Sequence, residues 1–256
     1  MAEGSTMRNP DQLVHSRACL TPNYALLPME GFPPSRLPGF GDAEVYILAS
    51  PAIGAAFVEY LVHLPEGASG QVRRDPDVEA FYFVLEGHGT AHAGSSEQTL
   101  TANSYGLTPP GVELQFKAES DLRVLVLLKR YEPSAEHPEG QGFSGHLDDI
   151  PAETWADNPS SRLQALLPED PSFDLAMNIF TFDPGCGLPV VETHVMEHGL
   201  WFLEGRGLYY LGDRWMEVEQ NDFIWMGPYC PQSYVAAGPT PSRYLYYKNV
   251  NREIPL

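Results

Sequence analysis

Apolar, β-branched and aromatic residues gather along this chain in short runs rather than at helical spacing. Such runs lie at Glu44–Ala49, Ala56–Leu64, Ala80–Leu85 and Leu122–Leu128. They return at Leu175–Phe182, Leu200–Leu203, Gly207–Leu211, Asp222–Met226 and Arg243–Lys248. Between them, 24 prolines and 23 glycines break the chain into segments too short for long helices. Only Ile150–Trp155 and Ser161–Leu167 read as helical, and both are short. The pattern predicts an all-β protein.

The runs repeat. Phe83-Val84-Leu85-Glu86-Gly87-His88-Gly89 parallels Trp201-Phe202-Leu203-Glu204-Gly205-Arg206-Gly207 at an offset of 118 residues. The same offset, without a gap, aligns Asn103 with Asn221 and Pro110 with Pro228, and farther back Glu79 with Glu197. Strand, Glu-Gly-x-Gly turn and strand, followed by a hairpin, is how a small double-sheet jelly-roll barrel reads. The chain therefore divides into an N-terminal extension over 1–40 and a first barrel over 41–131. A linker with short helices over 132–170 and a second barrel over 171–256 complete it. The polar, breaker-rich segment Tyr131–Ser144 joins the first barrel to that linker.

Composition narrows the partners. A formal net charge of −19 argues against nucleic acid and anionic membrane surfaces. No apolar run approaches the length of a membrane span, and Met1 to Arg17 lacks a signal-peptide layout. Cys19, Cys186 and Cys230 are odd in number and scattered, which suits a reducing compartment, so a cytoplasmic protein is expected. Met1–Thr6 reads as a loose polar tail.

The chemistry concentrates in Glu192-Thr193-His194-Val195-Met196-Glu197-His198, two imidazoles and two carboxylates in a chain with eight histidines. Burying such a cluster is costly unless a cation holds it, and a divalent metal is the usual solution. Two scaffolds fit the letters. On a helix, His194-x-x-Glu197-His198 is the motif of inverted zinc peptidases. On a strand, Glu192 and His194 leave the same face, and His198 joins them after a local turn. The prolines and glycines on either side oppose the helix. The repeat opposes it too, because Glu192, His194 and His198 fall opposite Arg74, Pro76 and Ala80, at the approach to a strand. The first copy thus keeps the scaffold and lacks the ligands, while His63, His88 and His92 read as ordinary histidines. On this reading Glu197 is a bystander, and Met196 and Trp201 are packing residues.

Gly187, Glu192, His194, His198 and Gly205 follow the layout of the first motif of the cupin superfamily, with Glu in place of its first His and His in place of its Glu. The second motif is echoed by Asp222, Pro228 and Cys230, with Gln232 as the nearest ligand-capable side chain. The order Glu-x-His-x3-His followed by Gln resembles, more narrowly, the (S)-ureidoglycine aminohydrolases. That resemblance extends to Tyr24–Leu27, Ala56–Tyr60, Lys129–Tyr131 and Tyr246–Asn249. It implies two tandem cupin barrels, homo-oligomeric assembly, a small-molecule substrate and one Mn²⁺ in the second barrel, held by Glu192, His194, His198 and Gln232. It places substrate contacts on Tyr209, Tyr244 and Lys248, and chemistry on Glu192, Tyr244 and Lys248. The ligand set mixes oxygen and nitrogen without thiolate, which suits Mn²⁺ or Fe²⁺ better than structural zinc. Alternation along Tyr244–Lys248 puts Tyr244, Tyr246 and Lys248 on one face. The implied reaction replaces the amine of ureidoglycine by hydroxyl, releasing ammonia in purine breakdown. The rival readings are another metal-dependent cupin enzyme, a dioxygenase or isomerase, and a non-catalytic small-molecule binder.

Overall fold

A computed structural model describes residues 16–252. The tail expected over Met1–Thr6 lies outside them. Strands dominate, with three isolated 3-10 turns among the described residues. None of their helices is long and apolar enough to cross a membrane.

Each repeat folds a large and a small antiparallel sheet. In the first, the large sheet runs Phe143–His146, Ser104–Thr108, Val78–Glu86, Leu122–Arg130, Phe57–Leu64, Glu44–Ala49. Its small sheet runs Ser69–Val72, Leu114–Ala118, Gly89–Ala93, Ser96–Leu100. In the second, Tyr24–Pro28 lies beside Asp222–Met226, then His198–Glu204, Ser242–Asn249, Leu175–Phe182, Asn158–Ala165 and Glu153–Trp155. Cys19–Leu20 caps the outer edge beside Tyr24–Pro28, and Arg214–Glu219, Arg206–Leu211 and Gln232–Ala236 form the small sheet.

The 118-residue offset governs the pairings as well as the letters. Ser69 pairs with Lys117, and Gly187 with Val235. It also exposes an exchange between the halves. Tyr24–Pro28, which precedes the first barrel, completes the large sheet of the second, with Ala25 opposite Trp225. Phe143–His146, which precedes the second, completes the large sheet of the first, with Phe143 opposite Leu107. Both partners of one pair lie 118 residues from those of the other, so the halves trade equivalent strands across a pseudo-two-fold axis.

The central strands are apolar on both faces because each serves two cores. Tyr82, Val84, Val124 and Val126 fill the first barrel, whereas Phe81, Phe83, Leu125 and Leu127 turn outward to Trp201, Trp225, Leu245 and Tyr247 of the second. Phe202, Tyr209, Tyr234 and Tyr244 line the second interior. The repeated Asn103 and Asn221 sit at φ 74° and 68°, left-handed turns that asparagine tolerates better than most residues.

The helices expected at Ile150–Trp155 and Ser161–Leu167 are not present. A 3-10 turn at Leu147–Asp149 leads into strand Glu153–Trp155, and Asn158–Ala165 is a strand paired along Leu175–Phe182. Arg162, Gln164 and Ala165 are good helix formers, but the open edge of Leu175–Phe182 offers a ladder and a face to cover. Tertiary pairing overrides local preference there.

Candidate functional site

One cavity of about 170 Å³ opens in the second barrel. Glu192, His194, His198, Tyr209, Gln232, Tyr244 and Lys248 all line it. Backbone pairing explains the convergence. His198 begins its strand directly opposite Lys248. Glu192 and Gln232 exchange two backbone hydrogen bonds of 2.8 and 2.9 Å, which fixes the irregular approach segment to the small sheet. The His194 carbonyl accepts from Tyr229 N–H at 2.7 Å. Residues 193–197 form no helix, so the peptidase reading fails. Glu192 makes only an isolated bridge, so the strand reading holds from His198 onward and in part before it.

His198 Nδ1 lies 3.0 Å from the Tyr247 carbonyl oxygen. A carbonyl only accepts, so Nδ1 carries the proton and Nε2 presents a lone pair. Burial pushes the His198 pKa down to about 3, helped by nearby His194 and opposed by the Tyr247 carbonyl, so the ring is neutral. Its Nε2 lies 3.2 Å from His194 Nε2, which is 3.1 Å from the Gln232 amide nitrogen. Tyr209 Oη donates to Gln232 Oε1 at 2.8 Å. With the amide so oriented, its NH2 donates to His194 Nε2, which leaves the lone pair of His198 Nε2 free of a protein donor. His194 Nδ1 is buried without a partner. Two imidazole nitrogens this close suit a cation held between them. A Gln232 oxygen ligand requires the amide to turn over, its NH2 then donating to Tyr209 Oη. Glu192 lines the same cavity, yet no three His, Cys, Asp or Glu side chains among the described residues already stand close enough to hold a metal.

Burial raises the Tyr209 and Tyr244 pKa values well above the ordinary phenol value, and nearby Glu192 adds to both. Both therefore remain O–H donors near neutrality. Glu197 faces away from the cavity. Its carboxylate accepts from Ala56 N–H at 2.9 Å and Trp225 Nε1–H at 2.7 Å, tying the two barrels together.

In the first barrel the equivalent positions hold exposed Arg74, exposed Pro76 and buried Ala80. His63, His88 and His92 lie elsewhere, and His92 sits 3.5 Å from Glu97. Sequence reasoning missed Trp155, Phe180, Leu188, Leu200 and the lining role of Met196. Tyr246 was on the predicted inward face but had no assigned role. Trp201 is buried in the core, as expected of a packing residue.

Residues 60–128 match the cupin domain family, which places the match in the half without the histidine pair. The chain is 36% identical over 242 residues to (S)-ureidoglycine aminohydrolase of Arabidopsis thaliana, covering 93% of this chain and 79% of that protein. It is 33% identical to (S)-ureidoglycine aminohydrolase of Escherichia coli K12, covering 91% of each. Among solved structures, protein Ylba from E. coli superposes with a TM-score of 0.84 at 31% identity, over 97% of this chain and 100% of that one. With the barrels, the cavity and these likenesses in hand, the chain belongs to the (S)-ureidoglycine aminohydrolase family.

Proposed function

We propose that this protein hydrolyses (S)-ureidoglycine to (S)-ureidoglycolate and ammonia in the recovery of purine nitrogen. The observation that carries the reading is the gathering of Glu192, His194, His198, Tyr209, Gln232, Tyr244 and Lys248 around one small cavity. The substrate is a central carbon bearing an amine, a ureido group and a carboxylate. Lys248 supplies the cation for the carboxylate, a charged hydrogen bond worth about 1.5–3 kcal/mol. Tyr244, kept protonated by burial, donates to substrate oxygen. Tyr209 holds the Gln232 amide in place. Glu192 is the one acidic side chain lining the cavity among the described residues. It accepts a proton from the attacking water and returns it to the departing amine, so that C–O forms as C–N breaks. Glu192, His194, His198 and Gln232 would hold a divalent cation such as Mn²⁺ or Fe²⁺. When bound, it supplies Lewis acidity and fixes the face of attack.

We further propose a cytoplasmic homo-oligomer. Three scattered free cysteines suit a reducing compartment. Exposed Leu20, Leu208 and Trp215 offer apolar surface for self-association.

The test is ammonia release from freshly generated (S)-ureidoglycine by metal-stripped and Mn²⁺-reloaded protein. A reloaded rate above spontaneous decay supports the function. A rate equal to decay with both preparations sinks it, and equal enzymatic rates with both sink the metal.

A further inference from the structure

The cavity lining sets five apolar side chains, Trp155, Phe180, Leu188, Met196 and Leu200, among eight polar ones. If the substrate carboxylate meets Lys248 and the amine meets Glu192 and the histidines, the third arm is left to the rest of the lining, where Trp155 and Phe180 present aromatic rings. That arm is a ureido group, planar and delocalised. Aromatic side chains recognise such a group through its flat face, as they do other planar polar groups.

Trp155 is aimed at the cavity by an unusual piece of backbone. It ends edge strand Glu153–Trp155, and the pairing with Asn158–Ala165 slips between Thr154 and Trp155. Such irregularities re-aim side chains and gather beside active sites. Ala156 and Asp157 follow at φ 52° and 56°, two consecutive non-glycine residues in the left-handed region. Alanine there costs about 1 kcal/mol, a strain retained where a tight hairpin must place a particular side chain. Phe180 stacks on Phe182 and, at 5.4 Å and 10°, on Tyr246. Trp155 meets that stack nearly perpendicular to Phe180, at 5.1 Å and 82°.

We propose that Trp155 is a specificity-determining residue that takes the ureido group of the substrate face-on, leaving the amine directed at Glu192 and the histidines. The proposal rests on the ureidoglycine reading above. Its test compares Trp155→Phe, which keeps an aromatic face, with Trp155→Leu, which keeps apolar volume without one. The probes are N-carbamoylglycine, a stable analogue that has the ureido arm and lacks the amine, and glycolate, which lacks both. Binding is followed by titration calorimetry on Mn²⁺-loaded protein. The wild type should bind N-carbamoylglycine more tightly than glycolate. Trp155→Leu should weaken N-carbamoylglycine about tenfold with glycolate unchanged, and Trp155→Phe should stay within about threefold of wild type. In turnover, Trp155→Leu should raise KM for ureidoglycine more than it lowers kcat. Equal loss for both probes, equal behaviour of the two variants, or no wild-type preference overturns the role of Trp155. If wild type turns over ureidoglycine while these outcomes fail, the function stands and this inference falls. If wild type releases no ammonia, the function itself falls.

Discussion

Replacing Glu59 by glutamine should remove much of the pH dependence of this protein's stability. Glu59 lies on Phe57–Leu64 between the barrels, 4% exposed, with Oε2 buried and without a hydrogen-bond partner. That oxygen is 3.0 Å from where a Cβ on Gly199 would stand. Burial alone pushes its pKa from the ordinary 4.5 up to about 8. Between those values the folded protein keeps a proton that the unfolded chain has released. Stability is therefore full below about pH 4.5 and declines as pH rises, until the folded carboxyl ionises near 8. The slope is about 1.4 kcal/mol per pH unit, which over the window gives a ceiling of about 5 kcal/mol. Glutamine carries no such proton. The assay is urea unfolding at intervals from pH 5 to 9 for wild type and Glu59→Gln. The difference in stability should swing steadily toward the variant as pH rises and level off above about 8. Glu79, pushed up to about 9 chiefly by burial and then by the nearby Asp174, keeps its own slope in both proteins and cancels from the comparison. Parallel profiles would refute the assignment of a neutral Glu59.

Lys129 and Asp174 form an ion pair across the barrels with side chains 4% and 0% exposed. Lys129→Met should cost about 3–5 kcal/mol, read as a drop of about 10 °C in Tm, because it strands the buried carboxylate. An unchanged Tm contradicts that. Lys248→Met should raise KM for ureidoglycine about tenfold or more with metal content unchanged by elemental analysis. Loss of metal with the lysine would show that the division of roles is wrong. Deleting residues 1–30 removes buried Tyr24, Ala25 and Leu26 and leaves Asp222–Met226 as a sheet edge. That protein should expose apolar surface to a hydrophobic dye and aggregate, whereas a monodisperse, cooperatively unfolding product would contradict the strand exchange.

What could be read from the sequence was whatever has a local period or a local repeat. Tyr244, Tyr246 and Lys248 alternate on one strand, so their shared face follows from the letters, and all three line the cavity. The repeat located the scaffold and showed which copy has the imidazoles. Glu59 carried a signal that went unused, since Phe57, Glu59 and Leu61 share a face and a lone carboxylate stands among apolar neighbours. Trp155 was hidden by a different cause. Its segment becomes a strand only because Asn158–Ala165 pairs with Leu175–Phe182, and no local propensity encodes that partner. The exchange of Tyr24–Pro28 for Phe143–His146 is likewise a choice between two equivalent sheet edges. Both edges look alike in the sequence.

The pseudo-symmetry also explains how a barrel without the histidine pair supports the cavity of the other. Glu79 and Glu197 are equivalent positions, both buried at the junction. In the first copy Glu79 lies beside the Lys129–Asp174 ion pair, and burial keeps its carboxyl neutral. In the second, Tyr247 replaces that lysine, and two N–H donors take over. One is Trp225 Nε1–H, and the other is Ala56 N–H from the opposite barrel. Glu197 N–H in turn donates to Asn249 Oδ1 at 2.6 Å. The residue before His198 is thus clamped on its carboxylate and on its amide, while His198 Nδ1 is fixed by the Tyr247 carbonyl. Rotation of the imidazole is constrained from both sides of the peptide. The first barrel contributes one donor of that clamp and the Phe57 ring against Gly199, where a Cβ would come within 2.6 Å. It therefore acts as a brace, holding the strand that begins with His198 at a distance and angle that the second barrel alone does not set.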